Sequence, residues 1–227
     1  MNKKSEYLIL AKNRENLYRF LGRLYKSEVD KTLFMQMKNM SFPVKCCESE
    51  LSEGYQILKK YLDNHDSNSL TDLAVDYAKV FLAAGMAEGS AAFPYESVYT
   101  SKKKIVMQEA RDQVMVIYAA KGLKKSVKNL NFFEDHISLE LEFMAFLCQE
   151  AQHTSDIHGE PDFSPYVKEQ MDFLNKHLLN WVPRFCADIE KYAGTEFYKG
   201  IGKITNGYLH LDRTILESLT SQLEHNL

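Results

Sequence analysis

Proline and glycine are scarce in this chain, five and ten among 227 residues, and they cluster at a few breaks. The long stretches between them are therefore free to be helical. No run of about 18 apolar residues occurs, so no transmembrane helix is expected. Charge of either sign is not in excess: the formal net charge is −3, which gives no global reason to bind nucleic acid or an anionic membrane. The four cysteines, Cys46, Cys47, Cys148 and Cys186, form no C-x-x-C pair. A zinc ribbon or thioredoxin-like motif is absent, and free thiols in a reducing cytoplasm are the simplest reading. G-x-x-x-x-G-K-[ST], G-x-G-x-x-G and G-x-S-x-G are all missing, so no recognised nucleotide site or hydrolase elbow is present. After Met1–Glu6, the charged Lys12, Arg14 and Glu15 interrupt the apolar positions, so a signal peptide is not expected.

What is present is helical periodicity over a chain long enough to bury a sizeable core. The first helix is predicted over Ser5 to Lys26, with Leu10, Leu17, Leu21 and Leu24 as its stripe. A second begins after an Asp30 N-cap and reaches about Met40, and Pro43 then breaks the chain. A third runs over Glu48 to Asn64. Ser69 or Thr71 caps a fourth that carries Leu73, Tyr77, Val80 and Phe81. A further helix is predicted from Ser101, carrying Ile105, Val106, Val114, Ile117 and Tyr118, and ending at Lys121-Gly122. Glu134 or Asp135 opens the next, which is apolar on two faces and so belongs in the middle of a bundle. Helices over Ser164–Trp181, Pro183–Ala193 and Glu196–Glu224 complete the count. The fold class is all-α: a single bundle of about nine to ten helices over 1–227. Thr154–Pro165, with Gly159 and Pro161, is the candidate hinge, dividing 1–153 from 166–227.

Two stretches are electrostatically lopsided. Glu134 to Asp162 holds Glu134, Asp135, Glu140, Glu142, Glu150, Asp156, Glu160 and Asp162 with no Lys or Arg. Upstream, Lys102 to Lys128 is strongly basic. The plain reading is two solvated faces that partly pair. The functional reading is an acidic rim for a basic peptide, because arginine favours bidentate contacts with carboxylates. Beside it, Phe93, Pro94, Tyr95, Val98 and Tyr99 form an aromatic loop that is either a core plug or the apolar part of a peptide groove. His136 and Glu140 share a helix face, but no nucleophile accompanies them, so fixed hydrogen bonding or ligand contact is expected rather than catalysis. Glu150–His153 is a lone E-x-x-H. A di-iron bundle needs two, plus two further inward Glu residues. His153, Asp156 and His158 read as a surface loop, and no metal is expected.

Four blocks in order carry a resemblance: Tyr77-Ala78-Lys79-Val80-Phe81-Leu82; Pro94-Tyr95-Glu96-Ser97-Val98-Tyr99; Glu134-Asp135-His136 with Leu139–Met144; and His177-Leu178, Trp181, Pro183 and Phe185 followed by Phe197-Tyr198. Together they resemble the TorD/DmsD/NarJ family of cytoplasmic chaperones, TorD/DmsD-like branch, over about Leu17 to Leu216. The resemblance implies a non-enzymatic helical protein without a cofactor of its own. Its partners would be the twin-arginine signal peptide and the apo-form of an exported molybdoenzyme of the dimethyl sulfoxide or trimethylamine oxide reductase type. Such a chaperone holds its client until cofactor insertion and prevents premature export. The family's E-P-x-D-H motif, which lines the proposed leader site, reads Phe132-Phe133-Glu134-Asp135-His136 here. Asp and His are kept, whereas Phe132 and Phe133 replace Glu and Pro. The implied leader-binding residues are Asp135 and His136, then Tyr77, Val80, Tyr95 and Tyr99, with Phe133 and Glu134 beside them. Trp181, Phe185 and Phe197 read as core. Some family members swap segments between copies, so a monomer or a swapped dimer fits, with the Thr154–Pro165 stretch as the hinge. The competing readings are a helical interaction module with another partner and a di-iron bundle enzyme.

Overall fold

The computed structural model describes residues 3–85, 90–124, 132–153 and 162–224. It is all-α. The helices are α1 (Lys3–Lys26), α2 (Lys31–Lys38), α3 (Ser49–Asp63), α4 (Ser69–Leu82), α5 (Glu96–Thr100), α6 (Glu109–Ala120), α7 (Ile137–His153), α8 (Ser164–Phe173), α9 (Val182–Tyr192) and α10 (Glu196–Glu224). A π-type segment, Leu174–Leu178, continues α8. Among the described residues the only strand-like pairing is one antiparallel bridge, Tyr95 with His136.

The chain forms two compact units, neither contiguous in sequence. The first comprises Met1–Arg23, Tyr95–Asn180 and His210–Leu227; the second comprises Leu24–Pro94 and Trp181–Leu209. α1 and α10 contribute to both. Most of the predicted hinge, residues 154–161, lies outside the described residues. The helices on either side of it, α7 and α8, both belong to the first unit. There the Gln170 side-chain amide donates to the Leu147 carbonyl at 3.1 Å, and Phe143 meets Phe173 at 4.6 Å between ring centroids.

The second unit is a close-packed apolar core. Leu58, Leu73, Val80, Trp181, Phe185, Ile189, Phe197 and Tyr198 are fully buried. α3 and α10 approach so closely that a Cβ on Gly54 would lie 2.7 Å from the Ile204 nitrogen and 2.9 Å from the Gly200 carbonyl. Glycine is required there for lack of space. Asp76 on α4 accepts from the amides of Gly194 and Thr195 at 2.9 and 2.7 Å and from the Thr195 hydroxyl at 2.6 Å. It thereby satisfies donors at the start of α10, where the Thr195 hydroxyl also accepts the Tyr198 N–H at 3.5 Å.

In the first unit, α1 buries Tyr7, Ala11, Arg14, Glu15, Tyr18 and Leu21, whereas Leu10 and Leu17 of the predicted stripe are only half-buried. The buried face turns through Arg14 because that guanidinium is neutralised. Its Nε and Nη2 donate to the two Asp212 oxygens at 2.5 and 2.9 Å, Nη1 donates to Gln170, and the Tyr18 hydroxyl adds a bond to Asp212 at 2.6 Å. A hydropathy stripe has no way to register a charge whose partner is nearly two hundred residues away.

Local signals place most helix ends. Asp30 caps α2 through Leu33 N–H at 2.8 Å, and Gly122, with φ of +68°, follows α6. Three expectations need correction. No helix spans 101–108: the chain forms α5 earlier and then a loop, in which Lys104 and Met107 take φ of 53° and 60°. Ser69 does not cap α4, since its hydroxyl bonds Asp66 and the N-cap is Asn68. Finally, the Asp135 carboxylate accepts from α5 instead of capping α7.

Candidate leader-binding site

Residues 132–136 precede α7 and fold back on α5. The Asp135 carbonyl accepts the Glu96 N–H at 3.0 Å and its carboxylate accepts the Ser97 N–H at 2.9 Å. Asp135 thus caps a helix five residues long that has no capping side chain of its own. The Ser97 hydroxyl oxygen accepts the Gln108 N–H at 3.1 Å, which ties the start of α6 to the same point. His136 is 1 % exposed, and its Nδ1 accepts the Ser138 amide at 3.1 Å. An amide N–H can only donate, so Nδ1 is the bare nitrogen, the proton sits on Nε2, and the Ser138 hydroxyl at 2.8 Å also donates to Nδ1. His136, rather than Asp135, supplies the acceptor for the first turn of α7.

Half-exposed aromatics surround this frame. Phe132 lies over the His136 ring at 4.3 Å between centroids, and Tyr95 meets it edge-on at 5.0 Å. Phe133 packs against Tyr95 at 5.8 Å. The Arg111 guanidinium sits 5.9 Å above the Phe133 ring and donates from Nε to Glu134 at 2.6 Å. Burial, and secondarily the negative Asp135, pushes the Tyr95 hydroxyl up to about 12, so it stays a neutral donor at physiological pH. Phe132 and Phe133, where the family motif has Glu and Pro, therefore form the apolar skin of the site.

Beneath the skin is a polar layer that sequence reasoning only half found. Glu96, Asp135 and Glu140 are each at most 1 % exposed. Glu96 bonds His177 Nδ1 at 3.1 Å. The Tyr118 hydroxyl is held far above its usual range by burial, then by Glu140, Glu96, Asp135 and Glu134 in that order. His177 also lines a groove of about 490 Å³ with Ile117, Phe143, Pro165, Phe173 and Lys176. Glu96 and His177 both stand in the sequence blocks that carried the resemblance, but a Glu between aromatics gives no sign of its burial, and its partner is 81 residues away.

The predicted residues divide between the units. Tyr95, Phe133, Glu134, Asp135 and His136 come together in the first unit, and Tyr99 follows on α5. Tyr77 and Val80 lie in the core of the second unit, 4 % and 0 % exposed, with the Tyr77 hydroxyl donating to the Tyr25 carbonyl at 2.9 Å. Trp181, Phe185 and Phe197 are core. Of the metal-loop residues, Asp156 and His158 lie outside the described residues, and among the described residues no three His, Cys, Asp or Glu side chains gather as a metal-binding group.

A family model described as nitrate reductase delta subunit matches residues 46–187. The chain belongs to that family, the TorD/NarJ family. It is 26% identical over 225 residues to chaperone protein TorD of Vibrio cholerae serotype O1 (strain ATCC 39541 / Classical Ogawa 395 / O395), covering 96% of this chain and 98% of that one. TorD of Aliivibrio fischeri (strain ATCC 700601 / ES114) is 25% identical over 219 residues, covering 92% and 96%. TorD of Psychrobacter sp. (strain PRwf-1) is 24% identical over 226 residues, covering 96% and 98%. These relatives are named chaperones, and the TorD/NarJ family is one of non-enzymatic redox-enzyme maturation chaperones.

Proposed function

We propose that this chain is a cytoplasmic chaperone that binds the twin-arginine leader and the apo-form of an exported molybdoenzyme, and holds the client until its cofactor is inserted. One observation carries the reading. A guanidinium already rests where a leader arginine would go: Arg111, bonded to Glu134 and lying over Phe133. A carboxylate beside an aromatic face satisfies both the charge and the flat apolar surface of arginine. Arg111 thus marks the chemistry of the site and competes for it. The apolar segment that follows the arginines in such a leader packs on Phe132, Phe133 and Tyr95, while Asp135 and His136 fix the backbone that presents them. Affinity comes mainly from the half-exposed aromatics that the leader covers, and encounter rate from charge.

The test is calorimetric titration with a synthetic twin-arginine leader. Phe133→Ala and Glu134→Gln are expected to weaken binding about five-fold or more, the roughly 1 kcal/mol that separates contributing interface residues from neutral ones. Replacing the peptide's paired arginines with glutamine should have a similar effect. Arg111→Gln, which removes the resident guanidinium, should strengthen binding severalfold. Unchanged affinity in Phe133→Ala and Glu134→Gln, with folding intact, would remove this surface from the leader site. Capture of a molybdoenzyme precursor still carrying its leader names the client.

A further inference from the structure

The basic stretch, which apart from Arg111 the leader site leaves unused, is also where the described residues of the first unit expose most apolar surface. Residues 102–124 carry Lys102, Lys103, Lys104, Arg111, Lys121 and Lys124 against Glu109 and Asp112, which is +6 and −2, or +4. The whole chain is −3, so the remainder is −7. Arg111 is held by Glu134 and Lys121 by Glu169 at 2.7 Å. The ammonium groups of Lys102, Lys103, Lys104 and Lys124 are exposed and form no ion pair among the described residues. Between them stand Ile105, Met107, Met115, Val116 and Leu123, with relative exposures of 50%, 52%, 39%, 70% and 37%.

The geometry holds these side chains outward. On α6, Ala110 and Val114 face the core, whereas Val116, Ala119 and Ala120, and then Leu123 just beyond the helix end, share one exposed face. Leu123 N–H donates to the Tyr118 carbonyl and Gly122 N–H to the Ala119 carbonyl, both at 2.9 Å, a C-terminal motif that fixes Leu123 on that face. In the preceding loop, Lys104 and Met107 occupy the left-handed region, with φ of 53° and 60°, which non-glycine residues adopt only at a cost. The Gln108 side chain donates to the Val106 and Met107 carbonyls at 3.0 Å each, and its amide to Ser97. A strained, internally bonded loop thus presents Ile105 and Met107 to solvent.

We propose that this face, the 102–107 loop with the outer side of α6, docks on an anionic lipid surface, the aliphatic side chains entering the headgroup boundary and the lysines pairing with lipid phosphates. Lysine-flanked aliphatic surface on one side of a helix is what interfacial binding needs. The free cations are all lysine, whose long stems reach from an apolar layer to headgroups. The arginine and the large aromatics that dominate protein hot spots are absent from the exposed set. No described helix is long and apolar enough to cross a membrane. A surface attachment of this kind would bring a chaperone and its bound client to the bilayer.

The test is co-sedimentation of the full chain with vesicles of equal parts phosphatidylglycerol and phosphatidylcholine, against phosphatidylcholine alone. The chain should partition onto the anionic vesicles and be released by added salt. Lys102→Gln, Lys103→Gln and Lys104→Gln combined should lower partitioning on the order of 100-fold, at roughly five-fold per lysine. Met107→Ser with Val116→Ser should lower it about ten-fold, with circular dichroism and leader affinity unchanged. Equal partitioning onto both vesicle types, or full binding by the lysine variant, overturns the proposal. So does loss of an acidic protein partner in the lysine variant with vesicle binding unaltered. Leader affinity is read separately, so failure here leaves the leader site standing.

Discussion

The two units of this protein solve the burial problem in opposite ways. Among the described residues of the second, the buried polar side chains are Ser69, Asp76 and Thr205, set in an aromatic and aliphatic core. Tyr25, Phe81, Phe185 and Tyr198 pack there with ring centroids 5.3–6.0 Å apart. The first unit buries Arg14, Glu15, Glu96, Asp135, His136, Glu140, Gln170, His177 and Asp212. Burying so many charges gains little net stability over an apolar core, because desolvation offsets much of the attraction. What such networks do is fix backbone and side chains in one arrangement. The predicted leader surface sits on the unit built this way, and the second unit supplies packing.

The largest effect that tests this contrast is the removal of one partner of the buried pair. Asp212→Ala leaves the Arg14 guanidinium in a dry site and should cost about 3–5 kcal/mol in urea unfolding. Arg14→Met with Asp212→Leu should recover most of that loss. If the single variant costs under about 1 kcal/mol, the first unit does not depend on its charges. In the second unit, Gly54→Ala should cost about 1–3 kcal/mol by overpacking against the α10 backbone, despite the roughly 1 kcal/mol that alanine gains in helix propensity. A raised melting temperature would show that α3 and α10 yield easily. Asp135→Ala should cost about 1 kcal/mol, the value of a cap, and Asp135→Asn much less, because the amide oxygen still accepts from Ser97. Equal losses in the two would mean that the charge matters beyond the cap.

The smallest effect is on pH dependence. Burial alone would push the Glu15 carboxyl up, but hydrogen bonds from Gln152, Lys12 and Arg19 outweigh it and hold it at about 2, below its ordinary 4.5. A carboxyl lowered on folding contributes its full stability above pH 4.5 and loses it as the pH falls through about 2. Glu15→Gln should flatten stability across that window by about 1 kcal/mol, with pH 7 stability falling toward the acid value. Identical acid profiles for the variant and the natural chain would place the acid sensitivity of the first unit elsewhere.

The candidate site was legible where its parts are close in sequence. Phe132 to His136 is one pentapeptide, and the aromatic block at 94–99 announces itself by composition. Tyr77 and Val80 were grouped with it through resemblance, and the structure places them in the apolar core of the other unit, the natural place for a residue on a helix stripe with Leu73 and Phe81. Glu96 and Tyr118 carried no signal, since an acidic or phenolic side chain near aromatics reads as surface until its neighbours are known. The helix expected from Ser101 starts late, at Glu109, because apolar spacing in Ile105 and Val106 mimics a helical face, while Ser97 and Gln108 tie that stretch into a loop; its end at Lys121-Gly122 falls as expected.

By itself the sequence determined every helix but the short α5, and most of their ends, because periodicity, caps and terminal glycines act within a turn or two of chain. α10 falls on Glu196–Glu224 as its pattern predicts. Only the tertiary structure decided which polar groups are buried. Arg14 meets Asp212 across 198 residues, Glu96 meets His177 across 81, and Asp135 caps a helix 38 residues upstream. A charge can enter a dry interior only where a partner waits, and that partner is a property of the folded chain rather than of any local stretch of it.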